Sequence, residues 1–265
     1  LSRKQFGIDL RNFTKGKKIN SGGFGDVFLA QYSKTGQCYA AKVLKRDPSK
    51  PNTQKLIDNE VQISMDIDHP TIVKFLGYSL LDFNSCNNVT LLMKLAKNHS
   101  LDEIIERSDR SVIPKGYDNT IRQIILIGVA CGMKYLHQNG IVHRDIKSNN
   151  ILLDENLYPL ITDFGTAKYF DKKHPVEQPQ QICGTLPYMA PEMITGSKYC
   201  YKIDVYSFGI LMYEIITDKE AYPHLEKKDS IINDFKKRVV KFNYRPSFKE
   251  EIKIECPTNG FNKNI

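Results

Sequence analysis

The first 95 residues alternate short apolar and polar runs in the pattern of a β-sheet. Segments such as Tyr39–Leu44 and Thr90–Leu95 contain β-branched and aromatic residues, and glycine or asparagine residues bound such segments. The stretch Gln54–Asp66 differs, because its apolar residues lie near the 3.6-residue repeat of a helix and Pro70 follows as a stop signal. This part of the chain is therefore predicted to be mostly sheet, with one helix.

Longer periodic segments after Asn98 predict helices. Tyr117–Gln138 carries apolar residues at helical spacing, and Ile203–Thr217 is nearly all apolar. The composition changes near residues 95–100 without a Pro-rich or Ser-rich linker. We therefore expect an α+β domain with two lobes joined by a tight hinge, a strand-rich lobe of residues 1–95 and a helical lobe of residues 96–265.

Composition narrows the class of protein. A chain of 265 residues can bury about 73% of its surface on folding, and its 41% apolar and 26% charged residues exclude collagen, coiled coil and general disorder. The net charge of +8 is spread over short clusters, which favours a solvated basic surface over a nucleic-acid site. No pattern in the sequence predicts an oligomeric state.

Apolar runs and cysteines bear on the cellular location of this segment. Its longest apolar runs, such as Ile124–Met133, fall short of the ~20 residues of a membrane span, so no membrane contact is expected from it. The six cysteines show no zinc-type spacing, which favours reduced thiols and a cytoplasmic setting. Because the sequence begins at Leu1, an excised or incomplete chain is expected.

A glycine-rich turn lies between two predicted strands, from Ile19 to Phe28. Glycines let backbone amides approach phosphate oxygens without an intervening Cβ, and such concavities bind anions. Taken alone, the turn fits an ordinary hairpin equally well. A dinucleotide-binding fold is disfavoured because a strand, Phe28–Tyr32, follows where a helix would be required.

Lys42 and Glu60 form a candidate ion pair. Lys42 lies near the end of an apolar strand, and Glu60 lies on the one predicted helix of this part. A lone lysine is usually a surface residue, but burial of either charge without a partner would be costly. Their placement therefore predicts a pair directed at a phosphate group.

Three motifs in the second half decide the interpretation. They are the stretch from Ile141 to Asn150 containing His-Arg-Asp, the Asp-Phe-Gly of Asp163–Gly165, and the segment from Gly184 to the Ala-Pro-Glu ending at Glu192. With the glycine turn, Lys42 and Glu60, this order resembles a eukaryotic protein kinase domain of the Ser/Thr type over about residues 8–246. The sequence of residues 143–150, which corresponds to the catalytic loop of this family, is most similar to that of the tyrosine-kinase-like branch. This branch includes Raf and the interleukin-receptor-associated kinases.

The resemblance implies a bilobal kinase fold, with an antiparallel sheet and one αC helix in the N-lobe and a mainly helical C-lobe. It also implies roles for four side chains. Asp163 and Asn150 would bind Mg²⁺, a hard cation that prefers oxygen ligands. Asp145 would orient the substrate hydroxyl and accept its proton, and Lys147 would neutralise the γ-phosphate.

The resemblance further implies an ATP site, in which Lys42, held by Glu60, would bind the α and β phosphates. The glycine-rich turn would cover the phosphates, apolar residues would enclose adenine, Met93 would be the gatekeeper and the next three residues the hinge. The nucleotide-binding residues besides Lys42 would be Ile19, Asn20, Ser21, Gly22, Gly23, Phe24, Gly25, Val27, Ala40, Met93, Lys94, Leu95, Ala96 and Leu152.

The acceptor is predicted from the same segments. Lys147, two residues after Asp145, and the Gly184–Glu192 segment resemble the Ser/Thr type, in which Thr185 would hydrogen-bond to Asp145 and Lys147. The implied function is transfer of the ATP γ-phosphate to serine or threonine of protein substrates in signalling. An ATP-binding pseudokinase or scaffold is the alternative. A nucleic-acid-binding protein is a third hypothesis, and it predicts a steep salt dependence.

Three departures from the family pattern favour the pseudokinase alternative. Asn20 replaces the first loop glycine, which is tolerable because Asn adopts positive φ more readily than most residues. Ser64 replaces a large apolar residue expected to stack against Phe164. The chain stops soon after Arg245, so the C-terminal helices are expected to be truncated, Glu192 to lack its arginine partner and residues 252–265 to form a frayed tail.

Regulation is predicted from the activation segment, which by the resemblance runs from Asp163 to Glu192 and has no hydroxyl groups in its middle part. Arg144 would pair with a phosphate there, but residues 170–184 contain no Ser, Thr or Tyr. Thr166 and Tyr169 are the only nearby candidates. Activity is therefore expected not to depend on phosphorylation within residues 170–184.

Overall fold

The computed structural model describes residues 6–22, 25–45, 53–105, 113–171, 176–179, 183–222 and 229–247. Within these ranges the structure has ten strands and six α-helices. The strands are β1 (Phe13–Gly22), β2 (Gly25–Tyr32), β3 (Cys38–Leu44), β4 (Phe75–Ser79), β5 (Thr90–Lys94), β6 (Asn98–Ser100), β7 (Ile141–Val142), β8 (Ile151–Leu153), β9 (Pro159–Ile161) and β10 (Lys168–Tyr169). The helices are α1 (Thr53–Asp66), α2 (Leu101–Ile105), α3 (Asn119–Gln138), α4 (Pro191–Ile194), α5 (Lys202–Thr217) and α6 (Asp229–Lys241).

The first part of the chain forms a five-stranded antiparallel sheet in the order β1-β2-β3-β5-β4. Its register places Lys42 opposite Val27 on β2 and Leu91 on β5. Helix α1 packs beside this sheet, where Ile57 is buried in one apolar cluster with Leu44 and residues of β4 and β5. Apolar burial therefore holds α1 close to β3, the strand that carries Lys42.

The second part is mainly helical and is organised around α3 and α5. Asp118 caps α3, because its carboxylate accepts a hydrogen bond from the amide of Ile121 at 2.9 Å. Ile125 of α3 and Leu211 of α5 are fully buried in the largest core cluster. That cluster also contains Ile63 of α1, so α1 is packed against both parts of the molecule.

Two small sheets lie at the junction of these parts. Strands β6, β8 and β9 form one, and β7 pairs with β10 in the other. The loop from residue 143 to residue 150 runs between β7 and β8, and Asp163 follows β9 by two residues. The candidate site therefore rests on short strands whose ends are fixed by pairing.

The predicted α+β class, with a sheet-rich first part and a helical second part, is confirmed. Helix α3 begins at Asn119 rather than at the predicted Tyr117, because Asp118 is its N-cap.

In the part of the chain that the structure describes, no helix is long and apolar enough to cross a bilayer. The lobe boundary at residue 95 stays a prediction. The expected truncation and the frayed tail concern residues after 247, which lie outside the described ranges.

Candidate active site

Lys42 connects two acidic residues from different elements. Its Nζ atom lies 2.6 Å from Oε1 of Glu60 on α1 and 2.7 Å from Oδ1 of Asp163, which follows β9. Lys42 and Glu60 are both buried, at 7% and 3% exposure. The ion pair expected between Lys42 and Glu60 is therefore present, and Asp163 is a second partner of the same ammonium group.

The pKa values follow from this sharing of one cation. Burial lowers the pKa of Lys42, but the charges of Glu60 and Asp163 outweigh burial and raise it above its ordinary value. Burial also raises the pKa of Glu60, only partly opposed by Lys42. For Asp163, the attraction of Lys42 overcomes burial and lowers the pKa. Lys42 and Asp163 are thus held in their charged forms at neutral pH.

The loop between β7 and β8 places three polar side chains around the carboxylate of Asp145. Lys147 Nζ lies 2.9 Å from Asp145 Oδ2. Asn150 Nδ2 donates to the same Oδ2 at 3.1 Å and to the Asp145 carbonyl at 2.8 Å. The hydroxyl of Thr185 donates to Asp145 Oδ1 at 2.8 Å and accepts from Lys147 at 2.8 Å. The contacts expected for Thr185 are therefore present.

Asp204, in the first turn of α5, supports the loop between β7 and β8 through hydrogen bonds to its backbone. Its carboxylate accepts from the backbone amides of His143 at 2.9 Å and Arg144 at 2.8 Å, and contacts His137 Nε2 at 2.8 Å. Asp204 is fully buried, and Arg144 has a positive φ of 68°. A buried carboxylate needs such partners, and the left-handed conformation of Arg144 needs support. Sequence reasoning missed this role, although an acidic residue within a nearly apolar helix was a signal for it.

A cavity of about 440 Å³ opens between the sheet and this loop. It combines apolar side chains with Lys42, Asn150 and Asp163. The other predicted residues that line it are Ile19, Asn20, Gly22, Gly25, Val27, Ala40, Met93, Lys94, Leu95, Ala96 and Leu152. Residues that line it without having been predicted are Lys17, Leu29, Val73, Lys97, Asn98, Ser100, Glu103, Asn149 and Thr162.

The glycine-rich turn differs from expectation in two details. Ser21 does not line the cavity, because its hydroxyl donates to Asp26 Oδ1 at 2.6 Å. Asn20 lies within β1 opposite Val27 and has no positive φ, so the left-handed conformation invoked to explain its tolerance is wrong. An extended backbone suits any residue at this position. Gly23 and Phe24 lie outside the described residues.

Two glycines of the turn have different surroundings. A Cβ on Gly25 would clash with the carbonyl oxygen of Val43, so the close approach of β3 requires glycine there. Among the described residues, a Cβ on Gly22 would meet only the Gly25 carbonyl oxygen, at 4.0 Å. Gly22 lines the cavity, and its lack of a side chain fits a backbone that approaches a phosphate group.

A comparison with protein families matches residues 13–263 to the protein kinase domain. The chain belongs to the protein kinase family. The kinase domain resembles plant receptor-like kinases of Arabidopsis thaliana. It is 36% identical to a G-type lectin S-receptor-like serine/threonine-protein kinase over 230 residues, covering 85% of this chain and 26% of that protein. It is 38% identical to cysteine-rich receptor-like protein kinase 46 over 210 residues, covering 77% of this chain and 32% of that protein.

The kinase domain spans about a third or less of the length of the curated relatives it matches first. The resemblance to a Ser/Thr-type kinase domain related to the tyrosine-kinase-like branch is confirmed, and so is the bilobal kinase fold. Membership in this family implies the use of ATP and, typically, of a divalent metal.

The donor set of the kinase domain fits a magnesium ion bound together with a nucleotide. Within the described residues, no group of three or more His, Cys, Asp or Glu side chains could hold a metal alone. Magnesium bound with a nucleotide needs only one or two protein side chains, because phosphates and waters complete its octahedron. Asp163 supplies carboxylate oxygens. Asn150 uses its amide nitrogen on Asp145, which leaves its amide oxygen for a cation.

Arg144 and the two candidate phosphate acceptors, Thr166 and Tyr169, all form hydrogen bonds within the kinase domain. Arg144 donates to the Thr166 carbonyl at 2.6 Å and to the Tyr199 hydroxyl at 3.3 Å. Thr166 is buried, and its hydroxyl donates to the His143 carbonyl at 3.0 Å. Tyr169 donates to Asp66 at 2.5 Å. Neutral groups therefore satisfy part of the donor capacity of Arg144 in an unphosphorylated chain.

A buried polar chain links the catalytic loop to α5. The hydroxyls of Ser148 and Tyr188 lie 2.9 Å apart, and Tyr188 donates to Glu214 at 2.5 Å. The amide of Ala221 donates to the other oxygen of Glu214 at 3.2 Å. Burial raises the pKa of Glu214 to about 7, although the hydrogen bonds from Tyr188 and Ala221 oppose the shift.

Position 64 on α1 carries a small polar serine where the family pattern predicts a large apolar residue. Ser64 is buried at 7% exposure. Its neighbour Ile63 is fully buried and lies in the same core cluster as Phe164. The ring of His143 lies 5.3 Å from that of Phe164. Phe164 therefore packs in an apolar environment even though position 64 carries a small polar residue.

Proposed function

We propose that this domain is the catalytic domain of a protein serine/threonine kinase that transfers the γ-phosphate of ATP to protein substrates. The observation that carries the proposal is the joint contact of Lys42 with Glu60 and Asp163. Lys42 and Asp163 both line the same cavity, and we propose the Lys42 ammonium as the cation for the phosphates and the Asp163 carboxylate as a ligand of the metal. The names of the relatives as serine/threonine or receptor-like kinases support the same activity.

The cavity would bind the nucleotide through complementary surfaces. Val27, Ala40 and Leu152 would contact adenine, and the backbone of Lys94–Ala96 would supply the hinge hydrogen bonds. The amide of Lys94 is excepted, because it donates to the Lys74 carbonyl at 2.9 Å. Lys42 would contact the α and β phosphates, and the amides near Gly22 would cover them. A volume of about 440 Å³ lies within the range of small-molecule sites.

Asp145 would align the acceptor hydroxyl and accept its proton. Lys147 and Thr185 fix the Asp145 carboxylate from two sides, so it is oriented before a substrate binds. Lys147 would also neutralise charge on the transferred group. When bound by Asp163 and Asn150, Mg²⁺ would offset the charge that spreads over the phosphate oxygens.

Serine or threonine is the proposed acceptor because Thr185 connects the Gly184–Glu192 segment, which would bind the protein substrate, to Lys147. The Lys147 ammonium donates to the Thr185 hydroxyl at 2.8 Å, which ties the Gly184–Glu192 segment to the catalytic loop. This contact fits the Ser/Thr type inferred from the sequence.

We also infer that the domain functions in a reducing, cytosolic compartment, since five cysteines are free thiols: Cys38, Cys86, Cys131, Cys183 and Cys200.

The test is a transfer assay with γ-labelled ATP and magnesium on a general protein substrate, followed by phosphoamino-acid analysis. The purified chain is compared with Asp163→Ala. We expect label on serine or threonine that disappears in the variant. Label on tyrosine would contradict the acceptor, and label that persists in Asp163→Ala would contradict the metal-binding role.

An ATP-binding pseudokinase or scaffold is the second candidate. Asn20 in the glycine-rich turn and Ser64 on α1 are the observations that favour it. A pseudokinase predicts that magnesium-ATP raises the melting temperature while no phosphate is transferred. The intact contacts of Asp145, Lys42 and Asp163 favour the active enzyme.

A further inference from the structure

Helix α1 touches the activation segment at two points that sequence motifs do not predict. The side-chain amide of Asn59 donates to the carbonyl oxygen of Ala167 at 2.6 Å. The hydroxyl of Tyr169 donates to Oδ2 of Asp66 at 2.5 Å. We name these two contacts the α1 latch.

The two helix residues lie on one side of α1. Positions 59 and 66 are seven residues apart, which is close to two helical turns and about 10 Å along the axis. Two contacts at this separation oppose rotation of the helix about its axis and sliding along it, and together they also prevent the helix from pivoting about either single contact. Glu60 is adjacent to Asn59, so the rotation that satisfies Asn59 also sets the direction of the Glu60 side chain.

The other half of the α1 latch is itself firmly supported. Tyr169 belongs to β10, which pairs with β7 opposite Ile141. The amide of the next residue, Phe170, donates to the Gly140 carbonyl at 2.7 Å. The side of the α1 latch that belongs to the activation segment is thus held by the strand that enters the catalytic loop.

The remaining contacts of α1 explain why a latch is useful. Ile63 packs in the helical core, but its neighbour Ser64 offers little apolar surface. After the helix ends, the amide of Asp68 donates to the Tyr135 hydroxyl at 3.0 Å, which holds the chain but not the rotation of α1. Hydrogen bonds at positions 59 and 66 supply the rotational constraint that a larger side chain at position 64 would otherwise help to supply.

We propose that Asn59 and Tyr169 are positioning residues, which hold α1 in the orientation that keeps Glu60 on Lys42. This inference rests on the proposed kinase activity for its catalytic consequence, but not for its structural content. The residues act through Glu60 and do not touch the nucleotide cavity. Their loss should free α1 while leaving the helical core intact.

The first test is hydrogen exchange of the chain without nucleotide. In Tyr169→Phe and in Asn59→Ala, we expect the amides of α1 to exchange about three- to tenfold faster, which corresponds to the net contribution of one hydrogen bond. The amides of α3 serve as an internal reference, and Tyr158→Phe removes the hydroxyl of an exposed tyrosine outside the latch. Unchanged α1 exchange in both variants, or equal acceleration in α3, would overturn the proposal.

The second test uses a conservative replacement and the transfer assay. Asp66→Asn keeps an oxygen that accepts from Tyr169 and from Gln62, which also contacts Asp66 at 2.9 Å, whereas Asp66→Ala removes it. We expect kcat/KM for ATP to fall about three- to tenfold in Asp66→Ala and Tyr169→Phe, and to stay within about twofold of wild type in Asp66→Asn. The double variant Asp66→Ala with Tyr169→Phe should be no worse than the single ones.

Equal losses in Asp66→Asn and Asp66→Ala would overturn the latch, since an accepting oxygen would then be irrelevant. Additive losses in the double variant would overturn the direct contact. A wild-type chain that transfers no phosphate would refute the proposed function instead. In that case the exchange rates of α1 would still decide the latch.

Discussion

Lys147 and Thr185 lie 38 residues apart in the chain, yet the ammonium of one donates to the hydroxyl of the other at 2.8 Å. Thr185 also contacts Asp145, so the segment after Gly184 and the catalytic loop form one unit around a single carboxylate. A substrate held by that segment would therefore meet Asp145 in a fixed orientation.

Gly184→Ala tests this unit. Gly184 has φ of 105°, and a Cβ there would lie 2.7 Å from the carbonyl oxygen of Arg144. We expect a loss of about 1–3 kcal/mol in the free energy of unfolding from backbone strain and a fall of at least about tenfold in kcat/KM for the protein substrate. Gly209→Ala is the control, because a Cβ at this position on α5 would meet no other described residue within 4 Å outside the backbone of its own helix. Equal behaviour of the two variants in urea unfolding and transfer assays would contradict the expectation.

Lys42→Met separates the stability of the buried charges from their chemistry. It leaves the buried Glu60 carboxylate without its cation, so we expect the free energy of unfolding to fall by about 3 kcal/mol. Lys42→Met combined with Glu60→Leu should regain part of that stability, because no charge is then stranded at position 60 although Asp163 still lacks its cation. Both variants should lose transfer activity. A double variant less stable than Lys42→Met in urea titration would refute the pairing argument.

Asp204→Asn tests the support of the catalytic loop from α5. The amide group can replace only one of the two carboxylate oxygens that accept from His143 and Arg144. We expect the free energy of unfolding to fall by about 1–3 kcal/mol and kcat to fall about tenfold. Asp234→Asn is the matched control on α6, where Asp234 pairs with Arg238 at the surface. A loss in Asp204→Asn no larger than in the control would show that the loop does not depend on Asp204.

The raised pKa of Glu214 predicts how the free energy of unfolding changes with pH. Its pKa is raised from 4.5 to about 7, so between these pH values the folded chain binds more protons than the unfolded chain. The free energy of unfolding should therefore fall as pH rises from about 4.5 to 7, by roughly 2 to 3 kcal/mol for this group. Glu214→Gln should remove that part of the slope.

The measurement for Glu214 is urea unfolding at several pH values. Asp234→Asn provides the control, because this exposed carboxylate on α6 lies outside the polar chain of Ser148, Tyr188 and Glu214 and its removal should leave the part of the slope assigned to Glu214 in place. A wild type and a Glu214→Gln variant with parallel pH profiles would contradict the raised pKa of Glu214.

The sequence predicted those elements whose burial repeats regularly. Helix α1 was expected at Gln54–Asp66 and is found at Thr53–Asp66, because Ile57, Glu60, Ile63 and Ser64 face inward at helical spacing. Strands β7 and β10 were not predicted. Each has two residues, too few to show an alternation, and they form only because residues 141–142 and 168–169 meet in the folded chain.

The site shows the same division between local and long-range information. Lys42, Asp145 and Asp163 could be selected because each stands in a short motif. Asn59 and Tyr169 could not, since their partners are 108 and 103 residues away. Ser21 was assigned to the nucleotide from its place in the turn, but the nearby Asp26 takes its hydroxyl.

The central claim is that Asp145 receives the proton of the acceptor while Lys42 and Asp163 hold the nucleotide. The most direct measurement is the rate of phosphate transfer by Asp145→Asn, with nucleotide binding followed by the rise in melting temperature on addition of magnesium-ATP. We predict an unchanged rise in melting temperature and a transfer rate about 10²- to 10⁴-fold lower. Transfer by Asp145→Asn within twofold of the wild type would contradict the account.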